Sequence, residues 1–378
     1  MRFLHTADWH IGRRLHGFDL SAEQEDAFQQ IEQIALDEQV DGMIIAGDLY
    51  DRSLPAETSV AQLDRMLQRL NLTDHLPLYA VAGNHDSATR LATGNPWYQS
   101  TNFYLATKLE EAFTPVELPD TQIFLLPYFE PFAAQQYFND ETLVHLDQAM
   151  VPVVEQMKAQ FNPQKKQILV AHFFVAGSAK TDSETQLTVG GLASVPAALL
   201  KDFDYVALGH LHGKDALHEP HMRYSGSPIK FSLSEAQQSK GVWIIDTDPF
   251  QLTFKPLKPL RDVQQITAHF DDLIDPTFYA QFDRENYFGF ILQDRKPILN
   301  ALPRLREIYP NVVSLSREEG YSTAVESQGM SGKQIRQKDP VALLGDFYES
   351  VAKEALTAQQ MSWAKETLKI ANDGGTKS

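Results

Sequence analysis

The chain has no cysteine in 378 residues. That excludes a disulfide framework, a thiolate zinc site, an iron–sulfur cluster and a thiol nucleophile, and it fits a reducing compartment. Positive charge is the second shortage. Lys and Arg number 33 against 50 Asp and Glu, a formal net charge of −17. The imbalance is concentrated, with −15 in residues 1–150 and −2 in the remainder. So acidic a chain repels phosphate overall, and a nucleic-acid ligand would need positive charge from a metal or a partner. Long apolar runs are missing too: none approaches the ~18 residues of a membrane span. Polar residues interrupt the start, Met1-Arg2-Phe3-Leu4-His5-Thr6-Ala7-Asp8, before a signal-peptide core can form. The expectation is a soluble, cytoplasmic protein with no membrane partner.

What is present is globular. Hydrophobic residues make up 43% and charged residues 22%, enough to bury a large core without covalent staples. The length suggests two domains and an appended segment.

The first half alternates strand and helix signals: strands at 3–7, 43–46 and 78–81, with helical periodicity between them at Phe28, Ile31, Ile34 and Ala35 and at Val60, Leu63, Leu67 and Leu70. Ser21 and Gln24 have capping-box spacing. This β-α-β-α-β order predicts an α/β core with a partly parallel sheet covered by helices. Further strand runs lie at 123–126, 168–171, 205–208 and 242–245. The prolines of Lys255-Pro256-Leu257-Lys258-Pro259 read as a linker. Beyond it, strand signals at 263–270, 287–292 and 312–315 and helical stretches near 276–282 and 299–309 predict a small α+β domain. Residues 328–337 read as a second linker, and Asp339-Pro340 opens a final helix. The expected domains are 1–255, 260–327 and a helical segment at 339–371.

The chemistry lies at the strand ends. Asp8-Trp9-His10 follows the first strand, Gly47-Asp48 the second and Gly83-Asn84-His85-Asp86 the third; His172 and Gly209-His210-Leu211-His212 end two later ones. In open α/β sheets ligands gather at the carboxyl ends of strands, so one sheet edge collects all five segments. Asp8, His10, Asp48, Asn84, His172, His210 and His212 are too many ligands for one ion, and a mixed Asp/His/Asn set suits two divalent metals. A carboxylate has two oxygens, so Asp48 is the natural bridge. Two such ions activate a water and clamp a phosphoryl oxygen. The glycines at 47, 83 and 209 are expected to let the backbone turn sharply there. Any one of these segments alone reads as an ordinary loop; five together do not. The seven other histidines have no such setting, and His5, inside the first strand, is read as core. No nucleophile elbow or P-loop is present.

The ordered set D-x-H, G-D, G-N-H-[DE], H and G-H-x-H resembles the calcineurin-like metallophosphoesterase superfamily. Within it the chain resembles the SbcD family, the nuclease subunit of bacterial SbcCD. The closer resemblance rests on Leu4-His5-Thr6-Ala7-Asp8-Trp9-His10, Ala46-Gly47-Asp48-Leu49-Tyr50-Asp51, Val189-Gly190-Gly191, Ala207-Leu208-Gly209-His210-Leu211-His212 and Tyr224-Ser225-Gly226-Ser227-Pro228. It implies a layered metallophosphoesterase core with a small α+β capping domain and a C-terminal helical segment. It implies one ion held by Asp8, His10, Asp48 and His212 and another by Asp48, Asn84, His172 and His210, most often Mn²⁺. His85 would face the scissile phosphate, stabilise charge and protonate the leaving oxygen, a role that imidazole chemistry supports. Asp86 is read as a turn or supporting residue. The implied activity is DNA cleavage, exonucleolytic on double-strand ends and endonucleolytic on hairpins and single strands, in repair and recombination. The implied partners are an SbcC-like SMC-type ATPase, DNA, and a second nuclease subunit in a heterotetramer. Arg13, Arg14 and His16 follow the first motif and are candidate DNA-backbone contacts. Phe347, Tyr348 and Val351 on the last predicted helix are candidates for docking the ATPase. Two rivals remain: a hydrolase of small phosphate esters or cyclic nucleotides, and a DNA-binding scaffold that does not cut.

Overall fold

In the computed structural model, residues 1–179, 194–318, 339–352 and 354–374 are described. The Val189-Gly190-Gly191 stretch, the expected linker at 328–337 and the end of the 260–327 region lie outside them. The chain divides into two units, Met1–Gln264 and Gln265–Ser378.

In the first unit the strands are β1 (Arg2–Thr6), a hairpin of β2 (Arg14–Leu15) and β3 (Phe18–Asp19), β4 (Gly42–Ala46), β5 (Leu78–Val81) and β6 (Phe103–Ala106). They continue with β7 (Val116–Glu117), β8 (Thr121–Leu126), β9 (Lys166–His172), β10 (Tyr205–Gly209), β11 (Met222–Tyr224), β12 (Gly241–Thr247) and β13 (Phe250–Pro256). The main helices of this unit are α1 (Ser21–Asp37), α2 (Glu57–Gln68), α3 (Pro131–Phe138) and α4 (Leu146–Lys158). One sheet has the order β13-β12-β1-β4-β5-β6 and the other β11-β10-β9-β8-β7. The strands β1, β4, β5 and β6 run parallel, as do β8, β9, β10 and β11. The carboxyl ends of each parallel set therefore share one edge.

Side-chain alternation along each strand builds the layers. Phe3, Ile44, Tyr79 and Val81 of the first sheet meet Ile123, Leu125, Ile168, Val170, Tyr205 and Ala207 of the second. Leu4, Met43, Ile45, Leu78 and Ala80 face the other way, onto Phe28 and Ile31 of α1 and Leu63 and Met66 of α2. Phe124, Leu126, Leu169, Val206 and Leu208 pack on Met150, Val153, Val154 and Met157 of α4. The result is a helix–sheet–sheet–helix stack. Strands buried on both faces read as continuous apolar runs, as those segments do.

Two sequence expectations are corrected. Ser21 and Gln24 form no capping box: Leu20 is the N-cap, with no side-chain cap bond. The Asp19 carboxylate instead accepts from the Ser21 amide at 2.9 Å, while Gln24 turns inward. Lys255 and Pro256 are not linker but the end of β13, paired with Val242 and Gly241; proline is tolerated at this sheet edge, where no ladder donor is needed. Strand β6, Phe-Tyr-Leu-Ala, is too short to show a period, and the mixed polar and apolar residues of β13 are mostly half-buried, so neither carries a clear strand signal.

The second unit, from Gln265, contains all but the first two residues of β14 (Val263–Ala268), with β15 (Tyr287–Leu292) and β16 (Val312–Arg317), in the order β14-β15-β16. Helix α5 (Ala301–Arg306) helps to bury a core of Phe288, Phe290, Leu305 and Tyr309. Helices α6 (Pro340–Ala352) and α7 (Ala358–Gly374) complete the described chain. They touch where Gln360 Nε2 donates to the Tyr348 hydroxyl at 3.3 Å.

Candidate metal centre

The loops after β1 and β4 are laced together by the backbone. The amides of Asp8, His10 and Ile11 donate to the carbonyls of Gly47, Asp48 and Leu49 at 3.0, 2.9 and 2.9 Å. From α1, Gln24 Nε2 donates to the Trp9 and His10 carbonyls at 3.1 and 2.8 Å. Asp86 ties in the loop after β5, accepting from the amides of Gly83, Leu49 and Tyr50 at 2.9, 3.1 and 3.0 Å. Asp86 thus faces three amides and supports the loops, as its sequence position suggested.

These loops aim a cluster of buried side chains at one point. Asp48 Oδ2 lies 3.2 Å from His172 Nε2 and 3.5 Å from His10 Nε2. Asn84 Oδ1 lies 3.1 Å from His172 Nε2 and 2.9 Å from His210 Nδ1. His10 Nε2 and His212 Nε2 are 3.1 Å apart. Asp8 Oδ1 accepts from the His210 amide at 2.9 Å, whereas its buried Oδ2 has no hydrogen-bond partner among the described residues. Ligand atoms of Asp8, His10 and His212, and of Asp8, Asp48 and His172, fall within 4.8 Å of one another.

Glycine makes this approach possible, by two different means. Gly47 has φ +89°, and a Cβ there would strike the His172 ring. Gly83 and Gly209 carry no positive φ. Their need is room, since a Cβ would collide with Asp48 and with the Ala46 carbonyl. The expected sharp turn therefore holds at 47 only.

The hydrogen-bond arithmetic favours positive charge at this point. His172 Nδ1 lies 2.8 Å from the Ala46 carbonyl and so carries its proton there. The Nε2 lone pair of a neutral His172 then faces two more acceptors, Asp48 Oδ2 and Asn84 Oδ1, an arrangement unfavourable without positive charge between them. The titration behaviour agrees. Burial alone would depress His172, but Asp48 and then Asp8 raise it to about 9. Burial would raise Asp48, yet His172, His10 and His85 hold it well below the usual carboxylate range. Burial, reinforced by neighbouring positive charge, lowers His10 and takes His210 down to about 3, leaving both rings neutral. Carboxylate, imidazole and amide-oxygen groups, with no thiolate, are a donor set for divalent cations such as Mn²⁺, Fe²⁺ or Zn²⁺.

His85 sits at the rim. Its amide donates to Asp48 Oδ1 at 2.9 Å and its Nδ1 to the Asp51 carbonyl at 2.7 Å, which directs the ring's acid–base chemistry to Nε2. Its ring meets that of His10 edge-on at 4.8 Å. Beside it is an open hollow lined by Arg13, Arg14, Asp51, Arg52 and His85. Arg13 reaches Asp51 at 3.5 Å and lies over the Phe231 ring. Arg14 is exposed and paired with Asp19, and His16 is exposed in the hairpin turn. Sequence reasoning missed Arg52, which its place four residues after Asp48 could have signalled. It also missed Phe231, which packs against the rings of both His10 and His212. In α6, Phe347 is exposed and Tyr348 half-buried; Val351 lies within the same helix. His5 is core, as read: its Nδ1 lies 2.9 Å from the Tyr205 hydroxyl.

A layered α/β stack with this strand-tip cluster defines a calcineurin-like phosphoesterase, and the family model of that description matches residues 1–214. A second, described as the type 5 capsule protein repressor C-terminal domain, matches residues 259–352. Over its full length the chain is 34% identical to SbcD, a subunit of the nuclease SbcCD, from Staphylococcus epidermidis, covering 99% of each protein. It is 32% identical to the SbcD of Staphylococcus saprophyticus, covering all of both. A dimetal phosphatase from Danio rerio aligns with 68% of this chain and 95% of its own, at 11% identity and a TM-score of 0.40. The chain belongs to the SbcD family of nuclease subunits.

Among the described residues no helix is long and apolar enough to cross a membrane.

Proposed function

We propose that the chain is a metal-dependent DNA nuclease subunit that hydrolyses phosphodiesters at the strand-tip cluster. The observation that carries this reading is the convergence of Asp48 Oδ2, Asn84 Oδ1 and His172 Nε2 on one buried point that favours positive charge. Asp8, His10, Asp48 and His212 would hold one divalent ion and Asp48, Asn84, His172 and His210 the other, with Mn²⁺ as the working metal. When bound, such ions acidify water and neutralise charge developing on a phosphoryl group. The protein's own residues do the rest. Ala46 fixes the His172 ring, Gln24 and Asp86 hold the ligand loops, and Asp51 leaves His85 Nε2 to face the phosphate. As the oxygen of water joins phosphorus and gives up a proton to solvent, the bond to the leaving ester oxygen breaks; His85, protonated on both nitrogens, delivers its Nε2 proton to that oxygen and regains one from solvent. No covalent enzyme intermediate is required.

Arg13, Arg14 and His16 would contact the DNA backbone. The α+β region 260–327 would select among DNA forms. Phe347, Tyr348 and Val351 in the 339–371 segment would dock an SbcC-like SMC-type ATPase, within a heterotetramer built on a nuclease homodimer in the cytoplasm, in repair and recombination. The relatives' designation as one subunit of SbcCD and the acidity of the chain, which leaves much of the DNA contact to a partner, support this reading. The test offers the purified chain with Mn²⁺ linear duplex, hairpin DNA and a phosphomonoester, with Asp48→Asn as control. Cleavage of DNA that is abolished in Asp48→Asn supports the proposal. Turnover of the monoester alone would make it a small-ester hydrolase, and no turnover even with the ATPase partner would make it a scaffold.

A further inference from the structure

The segment after the last motif contains a buried ion pair that the sequence reading passed over. Glu235 closes a single 3-10 turn, Leu233–Glu235, and is fully buried. Its Oε1 lies 3.5 Å from His212 Nδ1, and its Oε2 lies 2.5 Å from Lys240 Nζ. The same ammonium donates to the His212 carbonyl at 2.8 Å, to Ser227 Oγ at 2.9 Å and to Gln238 Oε1 at 2.8 Å. One ion pair therefore grips His212 twice, by its ring and by its main chain.

We propose that Glu235 and Lys240 are positioning residues for His212 and, through it, for the ion that His212 shares with Asp8 and His10. This rests on the metal-centre reading above. Desolvating a carboxylate and an ammonium costs several kcal/mol, and an apolar pair of similar volume would pack the same space as well or better. Packing alone therefore gives no reason for charge here. The geometry does. A carboxylate facing Nδ1 holds the proton there and keeps the lone pair on Nε2, the nitrogen that faces His10 Nε2 at 3.1 Å. It also makes the ring a stronger donor, as an anion behind a ligating imidazole does. Neutral carbonyls orient His172 and His85, whereas His212 faces a full negative charge whose own neutralising partner anchors the adjacent backbone. Phe231, packed on the rings of both His10 and His212, completes the clamp.

The test is Mn²⁺ binding to the full-length chain, followed by calorimetry and by electron paramagnetic resonance, in the wild type, Glu235→Gln, and the double variant Glu235→Leu/Lys240→Met, which strands no buried charge. The wild type should show two ions. The double variant should lose about ten- to hundredfold in affinity for one of them and keep the other. Glu235→Gln, isosteric and still an acceptor, should lose less, again at one ion only. Long-range proton–nitrogen NMR of metal-free protein should find the His212 proton at Nδ1 in the wild type and shared between both nitrogens in the double variant. Wild-type affinity at both ions in both variants would overturn the proposal. So would equal weakening at both ions alongside a lower metal-free unfolding midpoint, the signature of a purely structural pair. If the double variant does not fold, Glu235→Gln decides by the same criteria. A wild type that binds no Mn²⁺ would instead overturn the metal-centre reading itself.

Discussion

Four of the seven candidate ligands sit in left-handed backbone, where side chains other than glycine are uncommon: Asp8 at φ 54°, His10 at 43°, Asp48 at 51° and His210 at 96°. Such conformations persist only where surrounding bonds over-determine them, and they cluster at working sites. Here the bonds are visible, in the amides of Asp8 and His10 held by the β4 loop and the His210 amide held by Asp8. His85 differs, its ring being held by the Asp51 carbonyl rather than by a candidate ligand. His85→Ala should therefore keep Mn²⁺ affinity by calorimetry while phosphodiester cleavage falls about 10²- to 10⁴-fold, the usual worth of a positioned proton donor. Lost metal would mean that His85 is a ligand and that the division of roles is wrong. Gly209→Ala tests the space argument, since its Cβ would meet the Ala46 carbonyl, backbone that cannot rotate away. It should destabilise the chain by on the order of 3 kcal/mol or more, read from a urea midpoint; a change under about 0.5 kcal/mol would show that the loop has slack.

At the scale of elements, α1 and β1 each do more than their sequences announced. The Ser21–Gln24 spacing looks like a cap, yet Gln24 spends both nitrogen protons on the carbonyls of Trp9 and His10. The local pattern was legible and its use was not, because the competing acceptors arrive from another part of the fold. Gln24→Ala leaves two buried carbonyls short of a donor and should cost about 1–3 kcal/mol by chemical denaturation; a smaller cost would mean that water replaces the amide. Strand β1 carries His5 between the sheets, where burial depresses its pKa to about 3. The sign follows. The unfolded chain takes up a proton as pH falls below about 6.5, and the folded chain cannot until about 3. Stability that is present above pH 6.5 is thus lost on acidification, at up to about 1.4 kcal/mol per pH unit for this one proton. The cluster's own groups titrate as well, so the comparison is His5→Phe against wild type, both in chelator. The stability difference between them should shift in favour of the variant from pH 7 to pH 5. A constant difference would place His5 in contact with solvent.

For the whole molecule, the clustering of the candidate ligands was more legible in the sequence than the boundaries. Candidate ligands at strand tips are visible because their spacing to each apolar run is short and the sheet must gather them. Boundaries depend on contacts between residues far apart in the chain, and the proline-based break at 255 overlooked them. Lys255 and Pro256 finish β13. The Leu257 amide donates to the Lys240 carbonyl at 2.9 Å, Arg261 pairs with the buried Glu23 of α1, and Asp262 pairs with Lys230 at 2.8 Å. All seven candidate ligands, His85, Glu235 and Lys240 belong to Met1–Gln264. A fragment ending at 264 should therefore bind Mn²⁺ with the affinity of the whole chain and hydrolyse an activated diester such as bis(p-nitrophenyl) phosphate. A fragment ending at 255 strands Glu23 without its cation and removes the bond that holds Lys240's carbonyl. It should unfold more easily by about 1–3 kcal/mol and release metal at lower temperature in a calorimetric scan. Equal midpoints for the two fragments would show that residues 256–264 add nothing to this unit and would return the boundary to the prolines.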